Sequence, residues 1–114
     1  MTGTEVMEAC WQVLQDEDEP HTFYPDQKMV RWVNEAVDQV TQRRPDSLVG
    51  ADGVSITTVV PIEELEDTLS IGRRWFSALV EWVLMRAFQT DAEDEGDRNQ
   101  AALHQKFFAD VIAR

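Results

Sequence analysis

At 114 residues the chain has the length of one ordinary domain, and 43% apolar residues with four tryptophans give it material for a core. Its 22 acidic residues outnumber ten basic ones for a net charge of −12, which excludes gripping nucleic acid by its phosphates, since that needs clustered Lys and Arg. One cysteine excludes an internal disulfide, no apolar run approaches the about 20 residues that span a bilayer, and no basic-then-apolar signal peptide opens the chain. These features are those expected of a protein made in a reducing, aqueous compartment, with no role at a membrane.

The first predicted helix covers about 4–15, with Val6, Ala9, Cys10, Val13 and Leu14 on one face. Thr4 is its expected cap, Glu5 and Glu8 suit its first turn, and Cys10 reads as a small buried apolar residue. The acidic run Asp16 to Glu19 and Pro20 end it in a solvated loop. The second helix, about 25–43, has the cleanest pattern. Met29, Trp32, Val33, Ala36, Val37 and Val40 repeat at steps of three and four, Pro25 suits the first position, and Pro45 forbids continuation beyond Arg43 and Arg44.

Between the second and third helices the chemistry changes. Gly50, Asp52 and Gly53 are turn residues, and the β-branched run at about 54–60 predicts a strand. Its nearest partner, 47–49, is too short to cover it, so the strand is expected to pair with the same segment of another subunit. Glu63 to Asp67 is an acidic turn. A third helix is predicted over about 69–89, where Trp82 and Met85 widen the apolar stripe beyond what one facing helix needs, so the helix is expected to be central in the bundle, central in an oligomer, or both. A fourth spans about 91–113, with Thr90 and Glu93 at capping-box spacing; if Gly96 breaks it, the start moves to Asp97. The fold class is therefore mainly α: a single domain, a bundle of about four helices with a short β-strand or hairpin insertion.

The search for chemistry finds no catalytic, cofactor-binding or metal site. His21 and His104 are far apart in sequence and a metal needs three or four ligands. Phosphate-binding glycine loops and the G-x-S-x-G elbow are absent, and 91–97 lacks the calcium-loop pattern. Asp46-Ser47-Leu48 is similar to the D-S-L of acyl carrier proteins, but there the motif opens a helix, and here glycines follow at once. Arg73, Arg74 and Trp75 form the one basic-aromatic group, either a charged helix face with Trp75 in the core or a contact for an acidic neighbour.

Four segments resemble, in order, a family of tailed-bacteriophage head-to-tail adaptor proteins. Residues 8–16, EACWQVLQD, resemble its opening helix; RWVNEA at 31–36, followed by RPD at 44–46, resembles its W-[LI]-N-E-A…R-P-D signature. ALVEWVLMRAF at 78–88, then DAED at 91–94, resembles its third block, and Ala101, Ala102 with Phe107 or Phe108 fit the closing helix. The chain differs in opening its second helix with Tyr24-Pro25-Asp26 where the family usually has Thr-Asp, and in a short 45–61 segment. The resemblance implies a non-enzymatic virion protein without cofactors. It forms a homo-oligomeric ring, usually a dodecamer, at the neck, joins the portal to a tail, stopper or nozzle protein, and extends a channel through which DNA passes without specific binding. Such a protein is assembled in the host bacterial cytoplasm. A strongly negative lining would let DNA slide past. The expected portal contacts are Phe107, Phe108 and Arg114, and the expected subunit contacts are Arg43, Arg44, Val54, Ile56, Thr58, Arg73 and Arg74. A different reading of the same composition is a small acidic regulatory or inhibitory protein that binds a basic protein partner.

Overall fold

In a computed structural model of the chain, residues 1–14, 24–50, 52–90 and 95–114 are described. They form four α-helices: α1 (Gly3–Leu14), α2 (Asp26–Arg43), α3 (Phe76–Thr90) and α4 (Glu95–Ala113). Short 3₁₀ turns at Pro45–Leu48 and Arg73–Trp75 precede and follow a long non-helical crossing between α2 and α3. Helix α3 is the hub, packing against α1, α2 and α4.

Helix α1 buries Val6, Met7, Cys10 and Trp11, the 3.6-residue stripe of an amphipathic helix, but Val13 faces solvent. Its cap is Thr2 rather than Thr4: Glu5 N–H donates to Thr2 Oγ1 at 3.3 Å, and the Thr4 hydroxyl is buried without a partner. The reason is a close approach. A Cβ at Gly3 would lie 2.8 Å from Ile62 Cδ1, so the helix starts where the chain can press against residues 62–65. Thr4 N–H donates to Leu65 O at 2.8 Å there.

Helix α2 buries all six residues of its predicted stripe. Pro25 caps it from outside, one position earlier than expected, and its carbonyl accepts the N–H groups of Lys28 and Met29. At the other end Arg44 N–H returns to Val40 O, and Pro45 starts the 3₁₀ turn.

The strand expected at 54–60 does not form. Among the described residues backbone pairing here is one antiparallel bridge, Val49 with Ile56, flanked by Gly50 N–H to Ser55 O and Thr57 N–H to Leu48 O. Pro45–Leu48 is already spent on a 3₁₀ turn, which leaves one residue to pair with the β-branched run. Gly53, at φ 74°, makes the reversal that only a residue lacking Cβ adopts cheaply. From there the chain doubles back along α2, and Asn34 fastens it: Asn34 Nδ2 donates to Ile62 O and Ile62 N–H donates to Asn34 Oδ1, both at 2.9 Å. Ser70 similarly ties down Val60.

The third helix begins at Phe76, not at 69. Residues 69–72 lie outside any helix, yet Ile62, Leu65, Leu69 and Ile71 are buried, so this crossing contributes pegs to the core without helical structure. The surplus apolar surface of α3 is covered within the chain. Met85 is buried, and Trp82 packs edge-on against Phe108 of α4 at 5.1 Å while its Nε1 donates to Glu35 Oε1 of α2 at 2.9 Å. The wide stripe of α3 thus faces three helices of its own chain, as a helix central in the bundle does, with Trp82 partly covered. Thr90 closes α3, its hydroxyl donating to Arg86 O, instead of capping the next helix. Glu93 and the DAED segment lie outside the described residues, and Gly96 is inside α4. Helix α4 buries Ala101, His104, Phe108 and Ile112 at steps of three and four.

Candidate interaction surfaces

Among the described residues apolar side chains stay exposed at Val13 of α1, on the arm after Val49 and on α4. The turn and arm after Val49 expose Val54 by 82% and Ile56 by 79%, with Thr58 and Val60 also open. On α4, Leu103 and Phe107 face outward. The arm keeps its shape through polar bonds at its tip. Asp52 accepts the Val54 and Ser55 N–H groups at 2.9 and 2.8 Å and the Ser55 hydroxyl at 2.6 Å. These donors, the Ser55 hydroxyl first, pull the Asp52 pKa down to about 2.

The two phenylalanines expected at a portal contact separate. Phe107 is 40% exposed and stands edge-on to the His104 ring; Phe108 is 1% exposed, with Trp82 at its edge and the Arg43 guanidinium 5.1 Å over its face. Phe108 is therefore a core residue and is not available for docking, because helical geometry turns adjacent residues about 100° apart. His104 is buried as well. Its ring stacks on Phe88 and its Nδ1 is hydrogen-bonded to Glu81 Oε2 at 2.5 Å, which fastens α4 to α3.

The arginines are regrouped. Arg73 leaves the set, pairing with Glu5 of α1 at 2.7 Å and lowering that carboxyl's pKa. Arg43 lies over Phe108. Arg44, Arg74 and Arg114 instead converge on Trp75, in an open cleft of about 200 Å³ whose other walls are Ser77 and Val111. The Arg44 and Arg74 guanidinium groups sit 5.1 and 4.9 Å from the Trp75 ring centre, within cation–π range. Arg44 is held there by a two-pronged pair with Asp46, at 2.9 and 2.8 Å, and by a bond to Ile112 O at 2.6 Å. The pairing lowers the Asp46 pKa and raises that of Arg44. Sequence reading assigned Arg114 to a different contact from Arg44 and Arg74. Nothing local links it to residues 70 and 40 positions away, and only the packing of α4 brings it there.

A second, larger cleft of about 460 Å³ has the opposite character. Asp26, Glu63, Glu64 and Glu66 line it, with Gln27, Val30 and Leu65. Among the described residues no group of three or more His, Cys, Asp or Glu side chains converges as a metal would require, and no helix is long and apolar enough to cross a membrane. Ser47 is buried with its hydroxyl unpartnered, so it is not presented as a carrier serine would be. The Cys10 thiol is fully buried, and loss of solvation pushes its pKa up.

Comparison with protein-family models, with curated proteins and with solved structures finds no match for this chain.

Proposed function

We propose that this protein is a structural adaptor of the tailed-phage neck, a subunit of a homo-oligomeric ring that joins the portal to the tail and extends the DNA channel. The observation that supports the reading is that the residues carrying the resemblance meet in space. Glu35 of the WVNEA segment accepts the Trp82 N–H of the ALVEW segment, and Arg86 of the same block approaches within 2.9 Å of the same oxygen. Asn34 of WVNEA holds the α2–α3 crossing, and Arg44 and Asp46 of RPD pair with each other.

In this reading the exposed arm with Val54, Ile56 and Thr58 packs on the neighbouring subunit, Phe107 and Leu103 offer apolar contacts to the portal or tail, and the net negative charge lets DNA pass without sticking. Negative-stain images of the purified chain, alone and mixed with the portal protein of the same genome, test it. Rings or portal-bound density are expected. A strict monomer that ignores the portal and instead captures a basic protein would replace this reading with that of a small acidic regulatory protein.

A further inference from the structure

The chain carries two clefts of opposite charge, and they lie at opposite ends of one rigid element. Asp26 begins α2 and lines the acidic cleft; Arg44 directly follows α2 and lines the arginine cleft. The 18 residues between Asp26 and Arg43 span about 27 Å at 1.5 Å per residue.

Each cleft has unspent charge. Arg44 is neutralised locally by Asp46, on which Arg74 also acts through space, but neither Arg74 nor Arg114 makes a salt bridge among the described residues, and Arg74 lies over Trp75. At the other end none of Asp26, Glu63, Glu64 and Glu66 has a cationic partner among the described residues, and the nearby Lys28 is held over the Trp32 ring. The exposed Arg74 guanidinium, 4.9 Å from the Trp75 ring centre, is a group able to take a carboxylate in two parallel bonds. In a protein of charge −12, two like-sided faces of two copies repel, whereas this pair of faces attracts and so selects the orientation of approach.

We propose that copies of this chain associate head to tail, the arginine cleft of one copy (Arg74 and Arg114 around Trp75) receiving the acidic cleft rim of the next (Glu63, Glu64 and Glu66). The contact uses two different surfaces, so each copy keeps one of each free for a further neighbour, and the assembly grows into a closed ring or an open filament according to the rotation per step. It deepens the neck-ring reading by naming the surfaces that join the subunits, and it rests on that reading for the closed form only.

Charge exchange tests it. Arg74→Glu with Arg114→Glu makes one variant, and Glu63→Lys, Glu64→Lys with Glu66→Lys makes the other. All five positions are exposed, and only Arg74→Glu gives up an internal contact, over Trp75, so circular dichroism should show both variants folded, the arginine variant melting slightly below the parent. Sedimentation velocity over a range of protein and salt concentrations reads the outcome. The parent chain should self-associate at low salt and weaken as salt rises. Each variant alone should lose at least about tenfold in self-affinity, an equimolar mixture of the two should recover it, and a chain carrying both sets should recover it alone. Undiminished self-association of either variant overturns the proposal, as does failure of both the mixture and the double exchange to recover. A parent chain that stays monomeric at low salt also overturns it, whereas the neck assignment then stands or falls on portal binding alone.

Discussion

Replacing Asn34 removes the clasp that holds the α2–α3 crossing against α2. Its amide makes two bonds of 2.9 Å to the backbone of Ile62, whose side chain is buried in the core. Asn34→Ala leaves an N–H and a C=O in a half-buried site without partners, at about 1–2 kcal/mol each once partial access of water is allowed for, so about 2–4 kcal/mol together. Unfolding entropy of about 2.1 cal/mol/K per residue gives about 0.24 kcal/mol/K for 114 residues, so the melting temperature should fall by about 8–17 °C. Asn34→Asp keeps the acceptor for Ile62 N–H but sets a charged oxygen against Ile62 O. It should be at least as damaging as alanine at neutral pH and recover partly in mild acid, where the introduced carboxyl regains a donor. Calorimetry gives the melting temperature, and amide exchange at Ile62 reports the clasp itself. A shift of less than about 2 °C with unchanged exchange at Ile62 would show that burial of Ile62 and Leu65 alone holds the crossing, refuting the reasoning.

Phe108→Ala should cost about 3–5 kcal/mol and about 12–20 °C, and Phe107→Ala no more than about 1.5 kcal/mol, because only the former empties a core site. Equal melting temperatures for the two would contradict the register of α4. In native protein Cys10 should react with a thiol reagent at least about a thousandfold more slowly than in urea, since labelling needs the core to open; rates matching a free thiol would place it outside the core. Asp52 titrates below the ordinary aspartate value of about 3.9, so its support of the turn is complete above that value and lost as the pH falls through about 2. The Ser55 amide shift should follow that midpoint by NMR, and a midpoint near 4 would mean that the Asp52 bonds do not persist in solution.

The four helices were legible because each carries its own signal. The α2 stripe needed no tertiary information: six apolar residues at helical spacing, bounded by Pro25 and Pro45, were all found buried. Cys10 among apolar neighbours was equally readable. The crossing between α2 and α3 was not. Ile62, Leu65 and Leu69 stand at helical steps of three and four, yet no helix forms there, since each is placed by a long-range contact rather than by local geometry. The β-branched run read as a strand from propensity, and lost that structure because its partner was taken by the turn at Pro45.

Local pattern alone marks four helical stretches, the end of α2 and a strong negative charge, because periodicity, proline and composition act locally or are simple sums, but it runs the third helix back to 69 where the fold starts it at Phe76. The way the helices pack sets the rest: Met85 is buried and Trp82 partly covered within the chain, Phe108 is core while Phe107 is surface, and Arg114 joins Arg44 and Arg74. Each of those depends on which helix lies opposite and at what rotation, and a one-residue turn of about 100° around a helix exchanges inside for outside without altering the pattern's period.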